Sequence, residues 1–201
     1  MRRSLCAIMM LMALTGCDMS DSQDRAFLFG AFIADQPTKT DITRFNDGFK
    51  TQLDVVLVFI GWGTMLDTST ITDVNAENAT LMITLEPWDP ETKTGIDLER
   101  LQAHGYDDYL QRLADQLDSV TGTVYMRFAH EMNGDWYPWS ISRISSETYA
   151  NAYRYVHAFF TQAGVRDLQW VFTVNWENVP PENSFIAAYP GDEFVDFIGV
   201  D

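Results

Sequence analysis

The feature that most constrains this chain is the stretch 127–139, which reads Arg-Phe-Ala-His-Glu-Met-Asn-Gly-Asp-Trp-Tyr-Pro-Trp. It begins within an apolar run that has the character of a buried strand. A carboxyl at a strand end, beside an imidazole and next to indole rings, is the arrangement of a general acid. An apolar wall disfavours the charged form, so the carboxyl keeps its proton near neutral pH. The sequence therefore predicts that Glu131 acts as a general acid beside His130.

Apolar runs alternate with helical patterns along the rest of the chain. Strands are predicted at 26–33, 55–60, 80–85, 123–128, 168–174 and 194–200. Helices are predicted at 40–53, 73–78, 106–117 and 147–163, with a short one at 185–189. This alternation predicts an α/β protein with a parallel sheet, either doubly wound or a (β/α)8 TIM barrel. No glycine-rich phosphate-binding motif follows a strand, so nucleotide binding has no support.

Polar and tryptophan residues follow each predicted strand from the second to the sixth. In a (β/α)8 barrel those strand ends form a ring on one face, where the active sites of such enzymes lie. Two of these tryptophans, Trp62 and Trp176, are predicted to pack in the core. Glu86 and Trp88 follow the third strand, and Asp201 follows the sixth.

The motif R-x-x-H-E-M-N-G-D-W-Y-x-W resembles the acid/base segment of glycoside hydrolase family 26, the β-mannanase family. Residues 85–88 resemble the family's L-E-P-W segment, and 188–201 resemble its run into strand six. The resemblance covers about residues 27–201 and implies a (β/α)8 barrel and a retaining mechanism. It implies an endo-β-1,4-mannanase, while β-1,3-xylanase and mixed-linkage β-glucanase are alternatives in the same family. The non-catalytic interpretation is a salt-bridged Glu131 among core tryptophans.

Each candidate site residue has a role and an alternative. Glu131 would protonate the glycosidic oxygen and then deprotonate water. His130 resembles a family residue that bonds sugar or nucleophile, whereas the alternative is a satisfied core histidine. Asp201 is weighed equally as a sugar contact and as a partner of a neighbouring loop. The predicted substrate-binding set is His130, Trp136, Arg127, Trp88, Glu86, Trp139 and Asp201.

Four of these residues have the following expected roles, and that of Trp88 is what the L-E-P-W resemblance implies. Trp136 is expected to form a stacking platform for a sugar ring, and Trp88 a distal subsite. Trp139 is weighed equally as a core residue. Arg127 would be buried and would orient a carboxylate by a bidentate hydrogen bond. Asn133 and Gly134 are expected to shape the turn rather than touch substrate.

The predicted strand count falls short of a whole barrel, which has eight strands and typically ~250 residues. In the family the nucleophile is a Glu at the end of strand seven, and no residue here matches it. Retention needs two carboxyls ~5–5.5 Å apart. Glu86 and Glu177 lie at strand ends, but neither matches the family position. We therefore expect an amino-terminal part of a longer enzyme, with the nucleophile beyond residue 201, that is inactive and poorly soluble alone.

The start of the sequence has the pattern of a bacterial lipoprotein signal peptide over residues 1–16. Two arginines precede a short apolar run, and Leu-Thr-Gly-Cys at 14–17 resembles a lipobox with acylation of Cys17. The apolar run is about half of the ~20 residues that span a bilayer. Residues 17–25 are then a lipidated cysteine and tether, and 26–201 the truncated catalytic domain. The predicted location is the bacterial cell envelope, on the membrane through lipid.

Charge bears on the choice of partner. Lys and Arg number 13 against 29 Asp and Glu, a formal net charge of −16 that would repel nucleic acid. An uncharged polysaccharide would be indifferent to it. No metal or other cofactor is implied, because a zinc-binding H-E-x-x-H motif needs a second His where Gly134 stands. We expect a monomer. A carbohydrate-binding lipoprotein with a retained but unused site is the alternative from another class.

Overall fold

A computed structural model describes the backbone of residues 10–11 and all of residues 27–118 and 120–201. The signal peptide, Cys17 and the tether fall outside the fully described part and stay predictions. Within the described residues, no helix is both long and apolar enough to cross a membrane.

Parallel strands run side by side in chain order and form one curled sheet. They are β1 Leu28–Phe32, β2 Val55–Gly61, β3 Thr80–Glu86, β4 Val124–Phe128, β5 Leu168–Val174 and β6 Phe197–Val200. A two-residue strand, Met10–Leu11, pairs antiparallel with β1. The order never reverses, as it would at the switch point of a doubly wound sheet. The strands therefore form part of a barrel wall, as predicted.

Helices lie between the strands, and most of their positions agree with the prediction. They are α1 Lys39–Phe49, α2 Thr68–Ala76, α3 Leu98–Gln102, α4 Asp107–Asp118 and α5 Ser146–Gln162, with 3-10 turns at Phe185–Ala188 and Asp192–Phe194. Ser145 caps α5 by accepting from the Thr148 N–H.

Three boundaries differ from the prediction by three or more residues. Helix α1 ends at Phe49 rather than residue 53, because Lys50 adopts a left-handed conformation at φ 54°. The second helix starts at Thr68 rather than residue 73, and its added turn buries Thr70 and Ile71. The last strand begins at Phe197 rather than residue 194, because a 3-10 turn precedes it. Helix α3 was not predicted, since five residues are too few to show a helical period.

The alternation of side chains along each strand divides the core into two clusters. Outward residues such as Val56, Val58 and Ile83 pack beneath the helices in the larger cluster. The smaller cluster lies on the concave face and comprises Val55, Leu57, Met82, Tyr125 and Val171. Because inward positions recur every second residue, polar side chains near the carboxyl ends of β3, β4 and β5 share this face. They are Thr84, Glu86, Arg127 and Thr173.

Candidate active site

The centre of the concave face is a buried arginine, Arg127, which is 2% exposed. Its Nε donates to Thr84 Oγ1 at 2.8 Å, and its Nη1 donates to Asp201 Oδ2 at 2.7 Å. The guanidinium also lies 5.3 Å from the centroid of the Phe59 ring. A buried cation needs such a partner, so the carboxylate expected beside Arg127 is confirmed as Asp201. The guanidinium thus bonds a carboxylate through Nη1 and a hydroxyl through Nε.

The carboxyl of Glu131 is held at the rim by an unusual turn of the backbone after β4. Ala129 and Glu131 both have positive φ, at 48° and 53°, which is uncommon for residues other than glycine. The Glu131 N–H donates to Thr173 O on β5 at 2.9 Å. Its carboxylate Oε2 accepts from Trp136 Nε1 at 2.8 Å. The side chain is therefore fixed against an indole while remaining partly accessible.

Burial raises the pKa of Glu131 above that of an ordinary glutamate, because water no longer stabilises the carboxylate. The Trp136 hydrogen bond and the charge of Arg127 lower this pKa, whereas the nearby Asp201 carboxylate raises it. The net direction is upward, so the carboxyl retains its proton to higher pH. A proton donor at the rim is what acid catalysis on a glycosidic oxygen requires.

The imidazole of His130 is buried directly behind the acid, with 2% exposure. Burial, and then the charge of Arg127, hold its pKa well below the usual value, so the ring is neutral. Its Nε2 lies 3.1 Å from the Tyr137 hydroxyl, while Nδ1 has no hydrogen-bond partner among the described residues. An unpaired buried nitrogen argues against a merely satisfied core histidine.

Aromatic rings form a wall beside Glu131 and His130. Trp139 is 1% exposed, and its Nε1 donates to His130 O at 2.8 Å. Tyr137 stacks on it with ring centroids 4.3 Å apart and an angle of 9°. Of the two roles weighed for Trp139, the structure favours the core position over contact with sugar. Trp136 is 43% exposed, so the predicted platform is accessible.

The Trp136 indole packs closely against the backbone of Gly134. A Cβ at Gly134 would lie 2.4 Å from Cζ2 of that indole, far inside contact distance. The Gly134 N–H donates to Glu131 O at 3.0 Å. The predicted role of Gly134 in shaping the turn is therefore confirmed.

A second carboxyl, Glu86, lies at the end of β3 and is 9% exposed. Trp88 Nε1 donates to its Oε2 at 3.0 Å, and burial is the main cause of its raised pKa. The Trp88 ring meets Tyr137 edge-on at 5.4 Å, and Lys93 Nζ lies 4.2 Å from the Trp88 centroid. The structure thus joins Glu86 and Trp88 to the same aromatic wall as Glu131.

The loops that follow β4 and β5 are joined by one fully buried amide, Asn133. Its Oδ1 accepts from the Asn175 N–H at 2.8 Å. Its Nδ2 lies within 2.8–3.2 Å of Asn175 O, Glu177 O and Asn178 Oδ1. The expectation that Asn133 shapes the turn is confirmed, and its reach extends to the neighbouring loop.

The two tryptophans predicted to pack in the core differ. Trp62 is 9% exposed and packs on Tyr106 and Tyr109, as predicted. Trp176 is 75% exposed, so that prediction is wrong. The backbone N–H of Trp176 donates to Asp201 O at 3.0 Å. This hydrogen bond places the Trp176 backbone at the rim, next to the end of β6. Strand-end aromatics face either way, and local sequence carries no signal for the choice.

The residue that sequence reasoning missed is Tyr137, whose hydroxyl bonds His130 and whose ring contacts three tryptophans. The available signal was its position inside the motif between Trp136 and Trp139. Among the described residues, no group of three or more His, Cys, Asp or Glu side chains could hold a metal ion.

Comparisons with known sequences indicate a family. Residues 91–201 match the sequence model described as Glycosyl hydrolase family 26. Endoglucanase H of Acetivibrio thermocellus is 36% identical over 180 residues, which is 86% of this chain and 19% of that protein. A mannan endo-1,4-β-mannosidase of Bacillus subtilis is 31% identical over 123 residues, covering 56% of this chain and 31% of the relative. The chain thus spans less than a third of either relative.

Comparisons with solved structures agree on the fold. The mannanase Man26 of Bacillus subtilis superposes with a TM-score of 0.64 and 20% identity, over 86% of this chain and 61% of that one. The family 26 domain of an endo-β-mannanase/endo-β-glucanase from Prevotella bryantii gives 0.64 and 13%, over 86% and 65%. At these identities the likeness shows the fold alone, which is the family's (β/α)8 barrel in part.

Proposed function

The chain belongs to glycosyl hydrolase family 26, and from that premise we propose that it carries the acid/base half of a retaining glycoside hydrolase. The observation that carries the proposal is the Glu131 carboxyl at a strand end, fixed by Trp136 Nε1 at 2.8 Å. Its raised pKa suits a proton donor. The chain spans only part of its relatives, so the activity is that of the protein that contains it.

The proposed reaction has two steps. In the first, protonated Glu131 gives its proton to the glycosidic oxygen as that bond breaks, and a carboxylate attacks the sugar from the opposite face. In the second, the Glu131 carboxylate removes a proton from a water molecule as the water oxygen attacks the sugar. The bond between the sugar and the attacking carboxylate breaks, and Glu131 is protonated again. We place the attacking carboxylate, a Glu, beyond residue 201. Arg127 and Asp201 then form the charged floor beneath the reacting sugar.

The proposed substrate is a β-linked polysaccharide, with endo-β-1,4-mannan first. The name of the Bacillus subtilis relative, mannan endo-1,4-β-mannosidase, supports that choice. The name of the Acetivibrio relative, endoglucanase H, supports a β-glucan as the second candidate. In either case Trp136 is the proposed stacking platform, and Glu86 and Trp88 line the wall on the β3 side.

The test compares Glu131→Gln with Glu147→Gln, an exposed residue in the first turn of α5, in the longest natural polypeptide that carries this chain. We expect Glu131→Gln to lower kcat on mannan about 10²–10⁴-fold with oligosaccharide binding retained, and Glu147→Gln to match wild type. Aryl glycosides whose leaving group needs no proton should be cleaved with a much smaller loss in the first step.

The panel of polymers is mannan, β-1,3-xylan and mixed-linkage β-glucan. The polymer that the wild-type protein cleaves is assigned as its substrate. A parent protein that cleaves none of them, and binds oligosaccharides equally well with Gln at position 131, would be a carbohydrate-binding protein instead.

A further inference from the structure

The Tyr137 side chain is held rigidly in the middle of the aromatic wall. Its ring lies parallel to Trp139 at 4.3 Å and meets Trp88 edge-on at 5.4 Å with an interplanar angle of 78°. This packing leaves the hydroxyl little freedom, and it lies 3.1 Å from His130 Nε2. The hydroxyl is therefore a fixed polar group on a side chain that is partly exposed.

The direction of the bond between these two side chains follows from the histidine. Neutral His130 carries one N–H. If that proton were on Nδ1, a buried donor would lie without any acceptor among the described residues. Buried donors without partners are rarer than unpaired acceptors, because each forfeits its bond to water. The hydrogen-bond network thus assigns the proton to Nε2, which donates to the Tyr137 oxygen.

This assignment leaves the phenol proton for another acceptor. Burial, together with the charges of Glu131 and Glu86, raises the pKa of Tyr137, so the phenol stays protonated at working pH. Within the described part of the chain, His130 is the hydroxyl's sole hydrogen-bond partner. The O–H group is consequently a neutral donor that a molecule bound beside Glu131 can use.

We propose that Tyr137 is a specificity-determining residue that donates its O–H to one ring hydroxyl of the sugar bound next to Glu131. The inference deepens the proposed function and rests on it. The Asp201 carboxylate near the phenol disfavours an anionic acceptor. A sugar hydroxyl fits, because it accepts from Tyr137 and donates to a carboxylate at the same time.

The experiment pairs Tyr137→Phe with aryl β-glycosides in which one sugar hydroxyl at a time is replaced by hydrogen. The enzyme is the longest natural polypeptide that carries this chain. We expect Tyr137→Phe to lower kcat/KM about tenfold on the parent glycoside. On the analogue that lacks the contacted hydroxyl, wild type and variant should be equal, as in a double-mutant cycle.

The control is Tyr189→Phe, whose hydroxyl bonds Asp192 away from the site and whose loss should leave kcat/KM within about twofold. A Tyr137→Phe loss that is the same on every analogue would mean a structural role through His130 and would overturn the proposal, as would no loss. If wild type binds glycosides without cleaving them, the same cycle is run on binding constants by calorimetry. A loss of affinity that depends on one sugar hydroxyl would support the Tyr137 proposal and reject the hydrolase proposal. A loss of affinity that is the same for every analogue would reject the Tyr137 proposal.

Discussion

The protonation state of Glu131 is set by three neighbours that act in opposite directions. Trp136 Nε1 bonds the carboxylate and stabilises its charged form, and Arg127 adds to that effect. Burial and the Asp201 carboxylate favour the neutral form. Because the proposed first step needs protonated Glu131, kcat/KM should fall as pH rises through the pKa of Glu131. The basic limb of the pH profile should therefore reflect the deprotonation of Glu131.

Two substitutions should move that limb in opposite directions. Trp136→Phe removes a donor that lowers the Glu131 pKa, so the limb should shift to higher pH. Asp201→Asn removes a negative charge that raises the Glu131 pKa, so the limb should shift to lower pH. The measurement is kcat/KM against pH on one soluble oligosaccharide. Shifts in the same direction would show that Glu131 does not control the limb.

The proposed acid Glu131 and the proposed platform Trp136 lie on a loop, and the positions of the loops after β4 and β5 depend on each other. The loop after β4 bears Glu131 and Trp136, and the loop after β5 bears Trp176. Asn133 ties the two together through bonds to Asn175, Glu177 and Asn178. A displacement of one loop therefore moves the other.

Asn133→Ala should lower the free energy of unfolding by about 2–3 kcal/mol, because a buried amide and its four partly buried hydrogen bonds to the neighbouring loop are lost together. Urea denaturation followed by tryptophan fluorescence measures the change. The matched control is Asn75→Ala, a partly exposed position in α2 that should stay within about 0.5 kcal/mol of wild type. Equal stability of the two variants would show that Asn133 does not hold the loops.

At the level of the whole molecule, the sheet has exposed apolar side chains along its edge strand β6. Ile198 and Val200 are 65% and 59% exposed, and the nearby Ile186 is 73% exposed. A cavity of about 290 Å³ opens beside them, lined by Phe172, Phe185, Ile186, Tyr189, Asp192 and Ile198. Within the described residues, no strand pairs with the outer side of β6. Such an edge favours pairing between chains.

Ile198→Lys should reduce self-association of the 201-residue polypeptide, because a charge on an edge strand opposes edge-to-edge pairing. Sedimentation velocity at several protein concentrations measures the effect, and we expect the large species to decrease at least several-fold. Gln162→Lys adds the same charge at an exposed site at the end of α5 and should change nothing. An equal decrease for both variants would assign the effect to net charge.

Much of this protein was determined by short-range patterns in its sequence. Apolar runs fixed the strands, and the predicted span of β5 agrees with the structure at both ends. The motif at 127–139 predicted Glu131, His130 and Trp136 as candidate site residues, because residues that follow one strand are close together in the sequence. The partners of Glu131 were harder to predict, since the Asp201 carboxylate reaches it only through the curl of the sheet.

The remaining features were decided by the tertiary structure. Trp139 is buried and Trp176 is exposed, although both are tryptophans near strand ends. Tyr137 gained its position from rings supplied by two different loops. The sequence by itself determines which residues are near one another along the chain. Burial and charge depend on groups far apart along it, so only the folded sheet decides which carboxyl keeps its proton and which ring meets solvent.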